Sequence, residues 1–282
     1  MIYDEVIKAL ISAQIPSPRL EARILIAAAA NLPPDEVCYT TTLTTEEEAK
    51  LRQMLKLRAV HKPLDKIVGH KAFYKSDFMV NEKVLSPRPD TEVSVEAALE
   101  IIKKEKITYI ADFGTGSGCI LLSLLKEVPN LRGIGIDKSA EALKIAQQNA
   151  ATLGVSNRCK LFMADWFAPD FADKIGDKFQ LIISNPPYIP DSDIAELDTE
   201  VKDYDPYLAL SGGQDGLNSY RKIAEIAPLL LEKYGYIVFE IGIGQAEDVK
   251  NIFMKTGFEH IKTAADLAGI DRCLIFIKND CI

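Results

Sequence analysis

Apolar residues recur at helical spacing through residues 2–60 and gather into short continuous runs after about residue 105, which predicts a helical module followed by an α/β domain. Ile2, Val6, Ile7, Leu10 and Ile11 outline a first helix that stops at Gln14-Ile15-Pro16. Ser17 as N-cap and Pro18 at the first helical position open a second, which runs through Leu20, Ile24 and Ala27 until Pro33-Pro34. Thr45 with Glu48 has the spacing of a capping box for a third, along which Leu51, Met54, Leu55 and Arg58 repeat until His61-Lys62-Pro63. Phe73, Phe78, Val80, Val84 and Leu85 around Asn81-Glu82 predict a β-hairpin. The prolines of Ser86-Pro87-Arg88-Pro89-Asp90-Thr91-Glu92 force an extended approach, and Asp90 or Thr91 is placed to cap the helix through Val93, Val95, Ala98 and Ile101. The expected division is therefore a helical domain over 1–71, a hairpin linker over 72–86 and an α/β domain over 87–282.

In the α/β part, four predicted strands each end on residues suited to a ligand. Residues 107–113 run straight into Gly114-Thr115-Gly116-Ser117-Gly118 and a helix through Ile120, Leu121 and Leu124. Such a turn lets a ligand approach the backbone and the N–H groups of a helix start. Residues 131–136 end at Asp137, 23 positions beyond Gly114, where a Rossmann-type fold places the acid that accepts ribose hydroxyls. Asp137 could instead cap the helix at 140–153, a task Ser139 would do as well. Residues 159–163 lead to Ala164-Asp165 and the only tryptophan, Trp166, which is either core or a platform for a purine ring. Residues 178–184 end in Asn185-Pro186-Pro187-Tyr188. Two prolines remove N–H groups and hold the chain extended, so this rim presents an amide, free carbonyls and an aromatic ring; its alternative is a plain strand-ending turn. An acid-rich stretch over 191–207 follows, then a helix at 217–231, a strand at 236–241, and an antiparallel edge hairpin of 257–262 with 272–278 joined by about ten residues.

Dinucleotide enzymes place glycines as Gly-x-Gly-x-x-Gly, whereas here the third comes one residue early. With 48% hydrophobic and 26% charged residues in 282, the chain reads as a globular protein that stays in the cytoplasm, lacking both a ~20-residue apolar span and a signal-peptide pattern. Its net charge of −8 argues against wrapping bare nucleic acid. Cys38, Cys119, Cys159, Cys273 and Cys281 are scattered, so no metal site is expected and they read as reduced. His61 and His70 read as surface or linker residues.

Pro87-Arg88-Pro89-Asp90-Thr91-Glu92, Asp112-Phe113-Gly114-Thr115-Gly116-Ser117-Gly118-Cys119-Ile120, Asn185-Pro186-Pro187-Tyr188-Ile189, Tyr204-Asp205-Pro206 and the run from Ala209 to Leu217 together closely resemble the protein-(glutamine-N5) methyltransferases that modify peptide chain release factors. The resemblance covers nearly the whole chain. Asn-Pro-Pro-Tyr alone is shared with amino-methylating DNA and RNA enzymes. Asp65-Lys66 and Ser86 depart from the family pattern, and Gly212-Gly213-Gln214, although it spells the motif methylated in the substrates, reads as part of the enzyme's own turn.

The resemblance implies a Rossmann-like class I S-adenosylmethionine-dependent methyltransferase: a seven-stranded, mostly parallel sheet with an antiparallel edge hairpin and a small N-terminal helical domain for substrate recognition. S-adenosylmethionine would be bound by Gly114, Thr115, Gly116, Ser117, Gly118, Asp137, Trp166 and Asn185, and leave as S-adenosylhomocysteine. Asn185, Pro186 and Tyr188 would be catalytic, and with Pro187 would hold the substrate. The partner would be a release factor met by a monomer, without membrane or direct nucleic-acid contact. A ribosomal-protein glutamine methyltransferase, an adenine-N6 or guanine-N2 nucleic-acid methyltransferase and a non-catalytic binding protein remain as alternatives.

Overall fold

The computed structural model describes residues 2–279, which divide into two compact units, 2–70 with 198–204 and 71–197 with 205–279. Cys281 lies outside the described residues.

The first unit packs helices Ile2–Ser12, Pro18–Ala30 and Thr45–Ala59 with the short helix Leu64–Val68. Their apolar faces meet in a core that includes Leu10, Leu25, Ile26 and Leu51. The capping box forms one residue earlier than the pattern predicts: Thr44 Oγ1 accepts from Glu47 N at 3.3 Å, and Glu47 Oε2 accepts from Thr44 N at 2.7 Å. Two threonines followed by three glutamates fit the box in either register, and only Thr44 has the extended backbone that an N-cap requires. Arg58 is 2% exposed at the far end of this helix. It donates to Glu21 Oε1 at 3.1 Å and faces Glu200 at 2.8 Å. Glu200 belongs to the acid-rich stretch, which returns to this unit at 198–204; there Lys66 donates to the Tyr204 carbonyl at 2.6 Å.

A two-stranded hairpin, β1 (His70–Phe73) and β2 (Ser76–Met79), precedes the main sheet. Its turn lies at Tyr74, whose φ is 53°, and not at Asn81-Glu82. Asn81 does make a turn, accepting from Lys83 N at 2.8 Å, but beyond the strands. A tyrosine in the left-handed region gives no turn signal in the sequence.

The sheet is built from β3 (Tyr109–Phe113), β4 (Arg132–Asp137), β5 (Cys159–Met163), β6 (Phe179–Ser184), β7 (Leu231–Glu240), β8 (Phe258–Ala265) and β9 (Asp271–Lys278), in the order β5-β4-β3-β6-β7-β9-β8. Strands β3 to β7 are parallel; β9 runs antiparallel to β7 and to β8. Buried side chains alternate between the faces, as the two-residue period of a strand requires. Leu181, Ile183 and Val238 join helices Glu92–Glu105, Cys119–Glu127 and Ala140–Thr152 on one face. Ile182, Ile237 and Phe239 join Asn218–Leu230 and Ala246–Lys255 on the other. The last of these helices is absent from the sequence reading. The final two strands are longer than predicted, so they are joined by 266–270 alone, where Asp266 Oδ1 accepts from Ala268 N and Ile270 N.

From β3 the chain winds to β4 and β5 on one side and resumes at β6 on the other. The strand order therefore reverses between β3 and β6, which opens a crevice at their carboxyl ends. Phe113 pairs with Ser184 across it, so Gly114 and Asn185 leave the sheet side by side.

Candidate active site

A cavity of about 330 Å3 lies at these strand ends in the second unit. Gly114, Gly116, Asp137, Trp166, Asn185 and Pro187 line it. Thr115, Ser117, Gly118, Pro186 and Tyr188 belong to the same two turns but are not among its lining residues.

The glycine turn is wrapped over the end of β4, because Gly114 N and Thr115 N both donate to the Ile136 carbonyl at 2.8 and 3.0 Å. Gly114 has φ +75°, and a Cβ there would stand 3.3 Å from the Trp166 ring. Thr115 faces inward and donates to Asp112 Oδ2 at 2.7 Å. Burial pushes the Asp112 carboxyl up to about 7 against that bond. Ser117 is buried, and its carbonyl accepts from Asn149 Nδ2 at 2.9 Å.

Asp137 accepts from Gly116 N at 2.9 Å on one oxygen and from Ser139 N at 2.8 Å on the other. Ser139, whose hydroxyl accepts from Ala142 N, is the cap of the next helix, so Asp137 is not. Burial raises the Asp137 carboxyl, and the N–H groups of Ser139, Gly116 and Lys138 favour its charged form. Trp166 is both of the things its position allowed: it is 9% exposed within the core cluster, and its ring forms part of the wall. Its Nε1 is buried without a partner. Phe167, half exposed beside it, and Val84 with Leu85 also line the cavity; their apolar types alone gave no signal.

On the opposite rim, Asn185 Nδ2 donates to Thr91 Oγ1 at 3.3 Å. Tyr188 is half-buried against the core, and its hydroxyl donates to Glu240 Oε1 at 3.4 Å. The segment Pro87 to Glu92 is the hub of this rim. Arg88 donates to Asp205 at 3.1 Å, Asp90 pairs with Arg272 at 2.8 Å, and Glu92 accepts from Tyr74 N at 2.8 Å. Neither Asp90 nor Thr91 caps the helix through its side chain, a correction to the pattern: Pro89–Thr91 is a 3-10 turn and Thr91 already has helical backbone angles. The Gly212-Gly213 pair is a turn of the wall, with Gly212 N donating to the Ile189 carbonyl at 2.8 Å and the Gly213 carbonyl accepting from Asp191 N at 3.0 Å.

The family model for the PrmC N-terminal domain matches residues 2–69, and that for the Methyltransferase small domain matches 90–200. The release factor glutamine methyltransferase of Caulobacter vibrioides is 38% identical over 95% of this chain and 92% of its own length. That of Geobacter sulfurreducens is 42% identical over 92% of this chain and 89% of its own. The chain belongs to the release factor glutamine methyltransferase family. A solved methyltransferase from Pyrococcus furiosus superposes with a TM-score of 0.51 at 15% identity, covering 84% of this chain and 100% of its own, and shows the shared fold. As a member of the family, the chain is a methyltransferase with S-adenosylmethionine as methyl donor.

The cavity residues fit that donor. A glycine whose missing Cβ leaves space beside a tryptophan, a carboxylate able to accept hydroxyl donors, and an unpartnered indole N–H form a coherent set for a ribose and a purine. Among the described residues no group of His, Cys, Asp and Glu is placed to hold a metal ion, and no helix is long and apolar enough to cross a membrane.

Proposed function

We propose that this chain transfers a methyl group from S-adenosylmethionine to the side-chain amide nitrogen of the glutamine in the Gly-Gly-Gln motif of peptide chain release factors, in the cytoplasm. The observation that carries the reading is the place of Asn185 in a chain of this family: it lines the cavity, and its Nδ2 donates to Thr91 Oγ1 at 3.3 Å.

S-adenosylmethionine, when bound, supplies a methyl group on a positively charged sulfur. Asp137, the backbone at Gly114 and Gly116, and Trp166 would hold it. The glutamine amide nitrogen is a weak nucleophile because its lone pair is shared with its carbonyl, so the protein contributes by orientation. Asn185 Oδ1 and the Pro186 carbonyl each accept one N–H of the substrate amide, which fixes the nitrogen and favours positive charge developing on it. Pro187 removes an N–H that would compete for these acceptors. Tyr188 supports the rim from behind, through its packing and its bond to Glu240. The methylated nitrogen is strongly acidic and loses its proton to water, so the rim needs no histidine or lysine. The helical unit, 2–70 with 198–204, would recognise the body of the release factor.

The test is transfer of labelled methyl from S-adenosylmethionine to purified release factor, to ribosomes and to tRNA. Label on the release-factor glutamine alone is expected. Label on ribosomal protein or on a nucleic-acid base, with none on the release factor, would replace this reading by one of its alternatives.

A further inference from the structure

On the function proposed above, the working part of the rim is Asn185 and the Pro186 carbonyl, in a short span between two fixed ends. Upstream, Ser184 pairs with Phe113 and with Phe239, and its hydroxyl donates to the Phe113 carbonyl at 2.6 Å. Within the span, Pro186 and Pro187 have no N–H by which a neighbour could hold them. The direction of the span therefore depends on how the chain is held where it leaves, at the peptide between Tyr188 and Ile189.

That peptide is gripped from both sides. Ile189 N donates to the Leu210 carbonyl at 3.0 Å, and the Tyr188 carbonyl accepts from Gln245 Nε2 at 2.9 Å. Gln245, 57 positions further along the chain, stands at the start of the helix Ala246–Lys255, but its side chain does not cap that helix. It turns instead toward the end of β7, where its Oε1 accepts from Gly242 N at 3.0 Å. A backbone bond from Gln245 N to the Gly242 carbonyl, at 3.2 Å, closes the turn that brings the side chain there. Each end of the amide thus meets a backbone group of fixed polarity, an N–H that only donates and a carbonyl that only accepts. One orientation of the amide satisfies both, and the reverse satisfies neither.

Room for this bridge is made by two glycines on separate segments. A Cβ at Gly242 would stand 2.7 Å from Gln245 Oε1; one at Gly216 would stand 2.8 Å from Nε2 and closer still to the Tyr188 carbonyl oxygen. Without Gln245 the peptide would keep only its Ile189 bond and could tilt about it. A span stiffened by two prolines would carry that tilt back to the Pro186 carbonyl and Asn185.

We propose that Gln245 is a positioning residue of this enzyme: its amide bridges Gly242 and Tyr188, ties the rim to the end of β7 and so fixes the place of Asn185 and the Pro186 carbonyl. The inference rests on the proposed function of the same rim. It gives the turn after β7 a task in the reaction.

Gln245→Glu keeps the size of the side chain and an acceptor for Gly242 N, but the ionised carboxylate sets an oxygen against the Tyr188 carbonyl, where no donor remains. Gln245→Ala removes both bonds. Each full-length variant is assayed for kcat and KM with purified release factor, for S-adenosylmethionine affinity by calorimetry and for thermal unfolding, with turnover measured well below the melting temperature. Both variants are expected to lower kcat by ~10-fold or more, since a misplacement of about 1 Å at a reacting centre can cost ~100-fold. KM and the cofactor dissociation constant should stay within about threefold of wild type, the pattern of an interaction that matters in the transition state. Wild-type kcat in either variant, or a loss confined to KM, cofactor affinity or melting temperature, overturns the proposal and leaves Gln245 a structural residue of its turn. If one variant does not fold, the other decides by the same outcomes. Failure of the wild-type protein to methylate release factor would instead overturn the functional reading, and the positioning role with it.

Discussion

Gly116 N donates to Asp137 Oδ2 at 2.9 Å, so the glycine turn after β3 is tied directly to the acid that ends β4. On the function proposed above, one residue serves both the shape of the turn and the binding of what it encloses. Asp137→Ala should weaken S-adenosylmethionine binding by ~1.5–3 kcal/mol, the usual effect of removing a charged hydrogen-bond acceptor. Calorimetry is the measurement, with NAD as a control that should not bind. An unchanged dissociation constant would take Asp137 out of the cofactor site.

Gly114 and Gly116 both have positive φ but differ in what surrounds them. A methyl group at Gly114 would stand 3.3 Å from the Trp166 ring, whereas at Gly116 nothing lies nearer than 3.9 Å. Alanine at either position bears the left-handed backbone penalty of ~1–2 kcal/mol. At Gly114 it must also displace the ring that walls the cavity. Gly114→Ala should therefore lose more cofactor affinity than Gly116→Ala, and equal losses would mean that Trp166 has no part in binding.

On the function proposed above, Asn185→Ala removes the acceptor for the substrate amide, and kcat should fall by ~10²–10³, as for other single preorganised groups. Asn185→Asp still accepts a hydrogen bond and should keep partial activity. Single-turnover methylation of release factor reads this directly, with cofactor binding measured in parallel. Wild-type rates in the alanine variant would reduce Asn185 to a turn residue.

The strand ends were legible because each is a local event: an apolar run stops, and glycine, acid or proline follows. Gly114, Asp137, Trp166 and Asn185 meet at one cavity because parallel strands bring all their carboxyl ends to one edge of a sheet. Residues that act across the fold left no such trace. Thr91 reads as a helix cap in the sequence, since nothing local shows that Asn185, 94 positions away, donates to it. Glu240 reads as the end of a strand. Thr115 and Ser117 sit inside the glycine motif, but the turn directs Thr115 to Asp112 and buries Ser117, a detail of backbone angles and not of residue type. Arg58 looked like one more position of an apolar stripe, and the structure pairs it with Glu200, which lies far along the chain in a stretch that read as a loop.

Arg58 makes the first unit sensitive to a single change. Its guanidinium is 2% exposed, while Glu21 and Glu200 on either side keep some access to water. Arg58→Ala leaves those carboxylates facing each other without their cation, and should cost about 3 kcal/mol, toward the lower end for a broken buried pair. Hydrogen exchange should show the loss in helices Pro18–Ala30 and Thr45–Ala59 first. Lys75→Ala, which breaks the exposed pair with Glu127, should leave the melting temperature within error. Equal effects from the two would show that burial of Arg58 contributes nothing.

Stability should depend on pH through the carboxyl buried at the end of β7. Burial pushes the Glu240 carboxyl up to about 7, with Asp90 adding to the rise and Arg272, Thr91 and Tyr188 opposing it. Its unfolded value is that of an ordinary glutamate, ~4.3. Between these values the folded state holds a proton that the unfolded state has released. Stability is therefore fully present below about pH 4 as far as this group is concerned, declines as pH rises, and the loss is complete once pH passes the folded value, a contribution on the order of 3 kcal/mol. Asp112, also raised to about 7 by burial, acts in the same direction. His260 is lowered by burial and by Lys250, so it works oppositely in the acid part of the range. Comparison of wild type with Glu240→Gln cancels both. The melting temperature of the cofactor-free wild-type protein should fall more between pH 5 and pH 8 than that of Glu240→Gln, measured by calorimetry over that window. Parallel curves would mean that Glu240 is ionised in the folded protein no less readily than in the unfolded chain. A steeper wild-type curve would mean that the fold gives up stability when the Glu240 carboxyl ionises in its buried place at the end of β7.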